Sequence, residues 1–385
     1  MNREFSRKAS PLESFFMDLD DCGSNMTFHL FLQVEQKPSL EQLNQAMQTM
    51  LETHPGVNMK FYNKAWHASQ EIPPCTVIEA DTDDVYNAAA TKLDYRKNTV
   101  ALNVIHTQNG NWFLCFDFFH GAMDGRSGIQ FLYDFVDTIN GHKTEKSEFA
   151  TMDKDLVPLV ASNGKMGSIP CWPKCEPKDW SPSERGVDKT VVLHTMARTR
   201  SMAAKLANAV GQYFRDQANI IIPVDVRRYA PTQKSMFGNL IVPIFVDANS
   251  NRRIEDLRVE ILQDVKDIPF LAAILNSLFL YNAIPKKVRV WAIRHMIKAI
   301  MRHPKFICCA LVSPVGTVER HRLETDAFQV VDVAVTFISF PFCAFTVTSL
   351  QFDDHTNTTV AWHSGRVSQE TAEGLIQTID ETIRV

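Results

Sequence analysis

The sequence lacks the features that mark membrane and secreted proteins. It contains no run of about 18 uncharged apolar residues, the usual length of a transmembrane helix. Its N-terminal segment has no continuous apolar core of the kind found in signal peptides. We therefore expect a cytoplasmic location and, at most, peripheral contact with membranes. The longest apolar stretch, residues 268–284, is a little short for a span and predicts a buried or interfacial helix.

The sequence also has little that points to metal or nucleic acid. Its eight cysteines are scattered and include no CxxC pair of zinc-site spacing, so we expect reduced thiols and no bound metal. The formal net charge of -4 is small for 385 residues. A surface built to neutralise nucleic-acid phosphates would need a marked basic excess, so no nucleic-acid partner is expected.

What is present is the composition of a large globular protein. Hydrophobic residues make up 45% of the chain and charged residues 22%, and the length favours two ordinary domains or one large pseudo-repeated unit. Between residues 140 and 186 the periodicity is lost and prolines gather, which is typical of a long crossover. We predict an N-terminal half at 1–165, a Pro-rich crossover at 166–185 and a C-terminal half at 186–385.

Both halves mix strand and helix patterns. In the first half, residues 26–34 alternate like a strand, residues 40–51 have helical spacing, and Asn109-Gly110 between two apolar runs predicts a hairpin. In the second half we predict strands at 190–195, 219–224, 240–246, 330–338 and 342–352, and helices at 201–216, at 253–303 with breaks at Pro269 and Pro285, and from 368 onward. These patterns predict an α/β or mixed α+β class with sizeable sheets.

The stretch HGAMDG carries the clearest chemical signal. The second strand of the predicted hairpin ends at His120, and an amphipathic helix follows with Ser127 as its expected N-cap. A histidine at the end of a rigid strand can face a cleft, and its ordinary pKa near 6.5 suits proton transfer. We therefore interpret His120 as a candidate general base. The alternative is a structural histidine whose hydrogen bonds are satisfied within the fold.

The residues around this histidine resemble a known signature. FFHGAMDGRSGIQFL is similar to the His-x-x-x-Asp-Gly motif that chloramphenicol acetyltransferases, condensation domains, BAHD-type acyltransferases and wax ester synthases share. MLETHPGVNMKF and IIPVDVRRYAPTQKSMFGNLIVP resemble further segments of condensation-like proteins, so the resemblance spans most of residues 10–380. The sequence departs from these relatives at Phe119, where many condensation domains have a second histidine. It also has no counterpart of the DFGWG segment of plant BAHD enzymes between residues 330 and 350.

The resemblance implies both a fold and a reaction. The fold would have two similar halves, each a sheet flanked by helices, with an active-site tunnel between them. The reaction would move an acyl group from a thioester to a hydroxyl or amine acceptor, with His120 as the base. Asp124 would pair with Arg227 in a structural role, and Gly125 would permit a tight turn where a Cβ would clash.

The resemblance leaves the oxyanion donor and the thioester donor open. Asn239 and Ser313 are candidates for the oxyanion site or the tunnel wall. Arg294, Lys298 and Arg302 share one helical face and could bind donor phosphates, a carrier protein or anionic lipid, or could form an ordinary solvated face.

Acyl-CoA is the simplest co-substrate for a chain without an adjoining carrier domain. We therefore expect a stand-alone, monomeric enzyme that uses acyl-CoA and a small-molecule acceptor and holds no tightly bound cofactor. One alternative is a condensation-like enzyme that takes its acyl group from a carrier protein. Another, from a different class, is a non-catalytic relative that acts as a binding or scaffold module.

Overall fold

The structure is a computed structural model, and it describes residues 6–69, 71–81, 84–88, 91–145, 155–156, 186–196, 198–215, 218–230, 236–266, 280–302, 306–337 and 339–384. The predicted crossover at 166–185 and the greater part of the apolar stretch at 268–284 lie outside these ranges. Within them, every helix is too short or too polar to cross a bilayer.

Strands and helices alternate along the described chain. The strands are β1 Ser6–Lys8, β2 Thr27–Val34, β3 Met59–Tyr62, β4 Ala65–Ala68, β5 Thr76–Ala80, β6 Val100–Thr107, β7 Trp112–Phe119, β8 Asp188–Thr195, β9 Asn219–Asp225, β10 Ile241–Asp247, β11 Cys308–Val318, β12 Val330–Thr336, β13 Cys343–Phe352 and β14 His355–His363. The α-helices are α1 Pro11–Asp21, α2 Leu40–Thr53, α3 Val85–Ala88, α4 Gly125–Ile139, α5 Met202–Phe214, α6 Ile254–Lys266, α7 Lys286–Met301 and α8 Gln369–Arg384.

The first large sheet has the strand order β12-β2-β7-β6-β5. Its strands pair antiparallel except for β5, which runs parallel to β6. The hairpin of β6 and β7 turns at Asn109-Gly110, as the alternating pattern and the Asn-Gly pair predicted. A small antiparallel sheet has the order β1-β4-β3, and its strands come from the same N-terminal part of the chain.

The second large sheet has the order β10-β9-β11-β13-β14-β8. Strands β9, β11 and β13 run parallel to one another, and the outer pairs are antiparallel. Parallel neighbours need long connections, and here the segments between β9, β11 and β13 carry α6, α7 and β12.

Each large sheet has its own hydrophobic core. In the first, α2 and α4 pack together over the sheet, and Phe116 of β7 meets Phe135 of α4 with 5.1 Å between ring centroids. In the second, Leu206 and Val210 of α5 pack with Leu375 and Ile379 of α8, each pair at the i, i+4 spacing of one helix face. The predicted mixed α/β class, with two sheets flanked by helices, is confirmed.

Strand β12 links the two sheets. The chain leaves the second sheet after β11, pairs β12 with β2 of the first sheet, and then returns to the second sheet as β13. In this pairing Val330 lies opposite Val34 and Thr336 lies opposite His29. The predicted limits of the halves, 1–165 and 186–385, stay predictions, but one strand of the later segment is built into the earlier sheet.

The start of α4 differs from the prediction. Ser127 was expected as the N-cap, but the helix begins at Gly125 and is capped by Asp124, whose Oδ1 accepts a hydrogen bond from the Ser127 N–H at 2.9 Å. The prediction was wrong because Ser127 is the third helical residue. Its backbone N–H needs an acceptor, and the preceding carboxylate supplies it.

Candidate active site

His120 lies directly after β7, in the turn that leads into α4. Hydrogen bonds hold both its backbone N–H and its backbone carbonyl. The N–H donates to the Met26 carbonyl at 2.7 Å, and the carbonyl accepts a hydrogen bond from Asn239 Nδ2 at 2.7 Å. Met26 precedes β2 and Asn239 precedes β10, so both sheets hold the histidine in place.

Aromatic packing fixes the His120 ring. It stacks on Phe16 with centroids 4.6 Å apart, and it meets Phe28 and Phe337 edge to face at 5.5 and 4.7 Å. Nδ1 is buried and has no hydrogen-bond partner in the described part of the chain. Burial lowers the pKa of His120 from its ordinary 6.5, and the smaller influence of the Asp124 carboxylate opposes this. The ring is therefore neutral near pH 7.

Asp124 is buried and accepts four hydrogen bonds. Its Oδ1 accepts from the Ser127 N–H at 2.9 Å and from Arg227 Nη2 at 3.0 Å. Its Oδ2 accepts from Arg227 Nη1 at 2.9 Å and from the Leu240 N–H at 2.8 Å. Although burial alone would lower the pKa of Arg227, Asp124 and Asp225 raise it above its ordinary value. The structure thus brings together Asp124 and Arg227, with the carboxylate bound to protein donors on both oxygens.

Gly238 connects the HGAMDG turn to the FGN segment. Its carbonyl accepts from the Asp124 N–H at 3.2 Å, from Ser127 Oγ at 2.9 Å and from Arg227 Nη2 at 2.9 Å. Its N–H donates to Ser127 Oγ at 3.0 Å. The two segments on which the resemblance depended are therefore in direct contact, although more than a hundred residues separate them in the sequence.

Gly125 lies against a β-bulge in β11. The pairing of β11 with β13 shifts register between Pro314 and Gly316, which places Val315 next to the first residue of α4. A Cβ on Gly125 would lie 2.7 Å from Val315 Cγ1, closer than such contacts normally come. Gly125 is not among the residues with left-handed backbone. The close approach of β11, and not a left-handed turn, is what the glycine permits here.

A cavity of about 220 Å³ opens beside the His120 ring, and we call it the His120 cavity. Its walls come from α1, β2, the HGAMDG turn and β12 on one side and from β9, β10, β11 and β13 on the other. Most lining side chains are apolar. The polar ones are His120, Asp124, Arg126, Asp225, Ser313 and Thr348. An apolar wall with a few converging polar groups is typical of a small-molecule site.

The two oxyanion candidates occupy different positions. Ser313 lies on β11 opposite Thr348 of β13 and lines the His120 cavity, and its hydroxyl has no hydrogen-bond partner within the described ranges. Asn239 is 2% exposed and does not line the cavity. Because its amide nitrogen already donates to the His120 carbonyl, Asn239 is placed to hold the backbone of the histidine.

The predicted phosphate-binding row lies elsewhere. Arg294 and Lys298 are exposed on α7 and Arg302 is exposed at its C-cap, and none of them lines the His120 cavity. Arg294 donates to the Asp21 carbonyl at the end of α1, at 3.2 Å. The row is therefore on the outer surface of a helix that packs against α1.

Three buried side chains of metal-binding type meet in the first sheet. The donor atoms of His29, Cys115 and Asp117 all lie within 4.8 Å of one another. Asp117 Oδ1 lies 2.7 Å from His29 Nδ1 and 3.2 Å from Cys115 Sγ, while Oδ2 accepts from Thr91 at 2.6 Å and Asn103 at 2.9 Å. Burial raises the pKa of Cys115 well above its ordinary value, which keeps the thiol protonated. Hydrogen bonds account for this cluster, and we propose no metal there.

Sequence reasoning missed α1, which supplies part of the cavity wall. Phe15 and Phe16 of this helix line the His120 cavity. A signal for the helix was present, because Ser10 and Glu13 form a capping box around Pro11 at the first turn. Ser10 Oγ accepts from the Glu13 N–H at 3.2 Å, and Glu13 Oε2 accepts from the Ser10 N–H at 2.7 Å.

Phe119, the residue that departs from many condensation domains, is fully buried. Its ring lies 5.0 Å from that of Tyr95 and 6.3 Å from that of Trp66, between centroids. The side chain therefore belongs to an aromatic cluster behind the strand end, and His120 alone of the two adjacent residues lines the cavity.

The whole chain is similar to solved structures with two lobes. It matches the condensation domain of the Monacolin K polyketide synthase MokA with a TM-score of 0.64 and 11% identity, over 99% of this chain and 97% of that one. It matches the epimerization domain from the third module of tyrocidine synthetase B, TycB3(E), with a TM-score of 0.59 and 13% identity, over 99% and 97%. The chain has the condensation-domain fold.

A third solved structure is similar to the chain. Polyketide synthase associated protein 5 from Mycobacterium tuberculosis matches with a TM-score of 0.60 and 14% identity, over 98% of this chain and 97% of that one. No protein-family model matches the sequence, and no curated protein matches it. At these identities the likeness shows the condensation-domain fold, and it confirms at the level of fold the resemblance that HGAMDG indicated.

Proposed function

We propose that the chain is an acyltransferase of the condensation type, which moves an acyl group from a thioester to a hydroxyl or amine with His120 as general base. The observation that carries the proposal is the His120 imidazole in the wall of a mainly apolar cavity that both sheets build, where burial lowers its pKa. A neutral ring can accept a proton at pH 7, and an apolar wall suits an acyl chain.

The two ring nitrogens have different surroundings. Because Nδ1 is buried, we assign the base to Nε2. Nε2 accepts the proton of the acceptor O–H or N–H as that atom attacks the thioester carbonyl. When the tetrahedral intermediate collapses, the C–S bond breaks and the proton passes from Nε2 to the leaving thiolate. Atoms and charges balance without a covalent enzyme intermediate.

Ser313 is the donor that we assign to the oxyanion. Its side chain lines the His120 cavity and makes no hydrogen bond to another described residue, so its hydroxyl is available to a substrate. Loss of such a donor commonly lowers the rate by about a hundredfold or more. Asp124 and Arg227 act by positioning, since every oxygen of the carboxylate is bound to protein donors.

A carrier-protein thioester is the donor that the comparisons favour. Neighbours of the fold are domains of a polyketide synthase and of tyrocidine synthetase, which supports the carrier-dependent alternative over free acyl-CoA. Acyl-CoA contains the same pantetheine thioester and stays in the test as the second donor.

The test compares His120→Ala with wild type on a panel of acyl-CoA and acyl-carrier thioesters, with transfer and hydrolysis followed by mass spectrometry. We expect turnover to fall at least about a hundredfold with the melting temperature unchanged, because general-base contributions have this size. His142→Ala, at an exposed histidine outside the cavity, is the matched control and should leave turnover unchanged. Equal turnover of His120→Ala and wild type would refute the mechanism. If wild type turns over no thioester of the panel, the result supports the alternative that the chain is a non-catalytic binding module.

A further inference from the structure

A second cavity, of about 720 Å³, meets the His120 cavity at Pro314. We call it the arginine cavity, because Arg198 and Arg200 lie in its wall and no carboxylate of a described residue does. The remaining wall is mostly hydroxyl- and amide-bearing, with Thr199, Ser201, Thr317, Ser349 and Gln351. Its lining therefore carries positive charge and hydrogen-bonding groups without a counter-ion.

Arg198 and Arg200 have no neutralising partner among the described residues. Arg198 and Arg200 are exposed, and in the described part of the chain neither guanidinium has an ion pair or a hydrogen-bond acceptor. Arg227, by contrast, is paired with Asp124. Unpaired guanidinium groups in a concave wall are suited to an anion, and their planar fork fits phosphate oxygens.

Arg126 connects the two cavities. It follows Gly125 in the HGAMDG turn and lines the His120 cavity, and its Nη1 lies 3.3 Å from the position that a Cβ on Gly316 would take. Gly316 lines the arginine cavity. The β-bulge of β11 thus brings the residue after the motif to the boundary of the arginine cavity, and Arg126 too has no acceptor among the described residues.

The first turn of α5 adds to the positive potential. Ser201 and Met202 line the arginine cavity, and the Ser201 side chain caps no backbone N–H of the helix. Free N–H groups at a helix start favour an anion, and this helix start lines the same cavity as the two arginines.

We propose that the arginine cavity binds the phosphate of a phosphopantetheine thioester whose acyl end occupies the His120 cavity. The inference rests on the proposed acyl transfer for its thioester and on the arginines for its phosphate. Coenzyme A and a holo-carrier protein both present this phosphate on the same arm. The arginine cavity, and not the row of Arg294, Lys298 and Arg302 on α7, then recognises the donor.

The test is calorimetric titration of the full chain with 4′-phosphopantetheine and with pantetheine, which lacks the phosphate. We expect phosphopantetheine to bind at least about tenfold more tightly in wild type, as charge-assisted hydrogen bonds to an exposed phosphate would provide. The double variant Arg198→Gln/Arg200→Gln should lose this preference. Arg258→Gln, which removes one positive charge from the exposed face of α6 as each single arginine variant does from the cavity, should keep it.

Two further comparisons identify the source of the phosphate, and two single variants replace the double variant if it does not fold. Coenzyme A is compared with phosphopantetheine, and a holo-carrier protein is compared with its apo form. Whichever source binds should lose its phosphate-dependent gain in the double variant. The single variants Arg198→Gln and Arg200→Gln, each expected to lose about threefold, serve if the double variant fails to fold.

The binding test is independent of catalysis. His120→Ala should retain the preference for phosphate, so a chain that binds phosphopantetheine but transfers no acyl group would refute the proposed function and support the arginine site. Equal affinity for phosphopantetheine and pantetheine, absence of binding by either compound, or a phosphate preference that survives in the arginine variants would each overturn the inference.

Discussion

At His120, burial and aromatic packing act on the same ring in different ways. Phe16, Phe28 and Phe337 fix its plane, and their apolar surroundings disfavour the charged form. A histidine that stays neutral while buried is ready to accept a proton, whereas a protonated ring would have to lose one first. The phenylalanines therefore help to prepare the proposed base, although none of them exchanges a proton.

This environment predicts the pH dependence of the reaction. Because the pKa of His120 is lowered from 6.5, the ring stays neutral in more acidic solution, and activity falls only when the pH drops through the lowered value. We expect the acid limb of kcat/KM to have its midpoint below pH 6.5. In Phe16→Ser, which admits water to the ring, the midpoint should move up toward 6.5. A wild-type limb centred at or above 6.5 would contradict the assignment of His120 as the base.

The ion pair of Asp124 and Arg227 contributes position more than net stability. Buried pairs lose hydration energy that their attraction only partly returns. In this structure the pair also holds the Leu240 N–H and lies against the Gly238 carbonyl, so it ties the start of α4 to the segment that leads into β10. That segment carries Asn239, which binds the His120 carbonyl. The motif aspartate therefore acts on His120 through the opposite sheet.

At the scale of elements, the bulge of β11 packs closely against the start of α4, and it can do so because Gly125 has no side chain. In Gly125→Ala the new Cβ would meet Val315 Cγ1 at 2.7 Å, and we expect a loss of about 1–3 kcal/mol in the free energy of unfolding, the usual cost of overpacking. Val315→Ala in the same chain should restore part of that loss. Urea unfolding of the two single variants and the double variant measures the coupling. Strictly additive effects would show that the contact is not what requires glycine.

The elements that could be predicted are those with local signals. The β6–β7 hairpin has alternation and an Asn-Gly turn, and α4 and α8 have regular apolar spacing. The site motifs were found in the same way, by short stretches whose residues resemble known ones. A strand was predicted at 330–338, but its pairing with β2 and its place in the cavity wall beside α1 were not, because these partners lie far away in the sequence.

Polar residues in buried positions account for two of the missed elements, α1 and β14. Helix α1 contains Asp18 and Asp20, whose carboxylates are buried against Arg289 at 2.9 Å and Lys92 at 3.1 Å. Strand β14 was missed because it has few apolar side chains, yet its run of threonine and asparagine at 356–359 is buried. Strand β11 contains Pro314 and Gly316, which are residue types typical of turns, and its bulge lies between them.

At the scale of the whole molecule, β12 makes the two large sheets depend on each other. Without it, β2 would be the edge of the first sheet, and Leu30, Phe31 and Leu32 lie in a strand that is buried on both faces. An exposed apolar edge strand is prone to pair with other chains. The His120 cavity depends on the same exchange, because Val335 and Phe337, at and just beyond the end of β12, line it.

A chain cut within the Pro-rich segment tests this dependence. Residues 1–185 expressed alone lack β12, so we expect aggregation or the loss of a cooperative thermal transition, measured by size-exclusion chromatography and circular dichroism. Coexpression with residues 186–385 should yield a soluble complex, since β12 can then pair with β2 across the cut. Ala334→Pro in the second fragment, at the residue opposite Phe31 of β2, should prevent the complex from forming, because proline removes a backbone donor and is poorly tolerated between paired strands. Cooperative unfolding of residues 1–185 on their own would show that the first sheet is stable without β12.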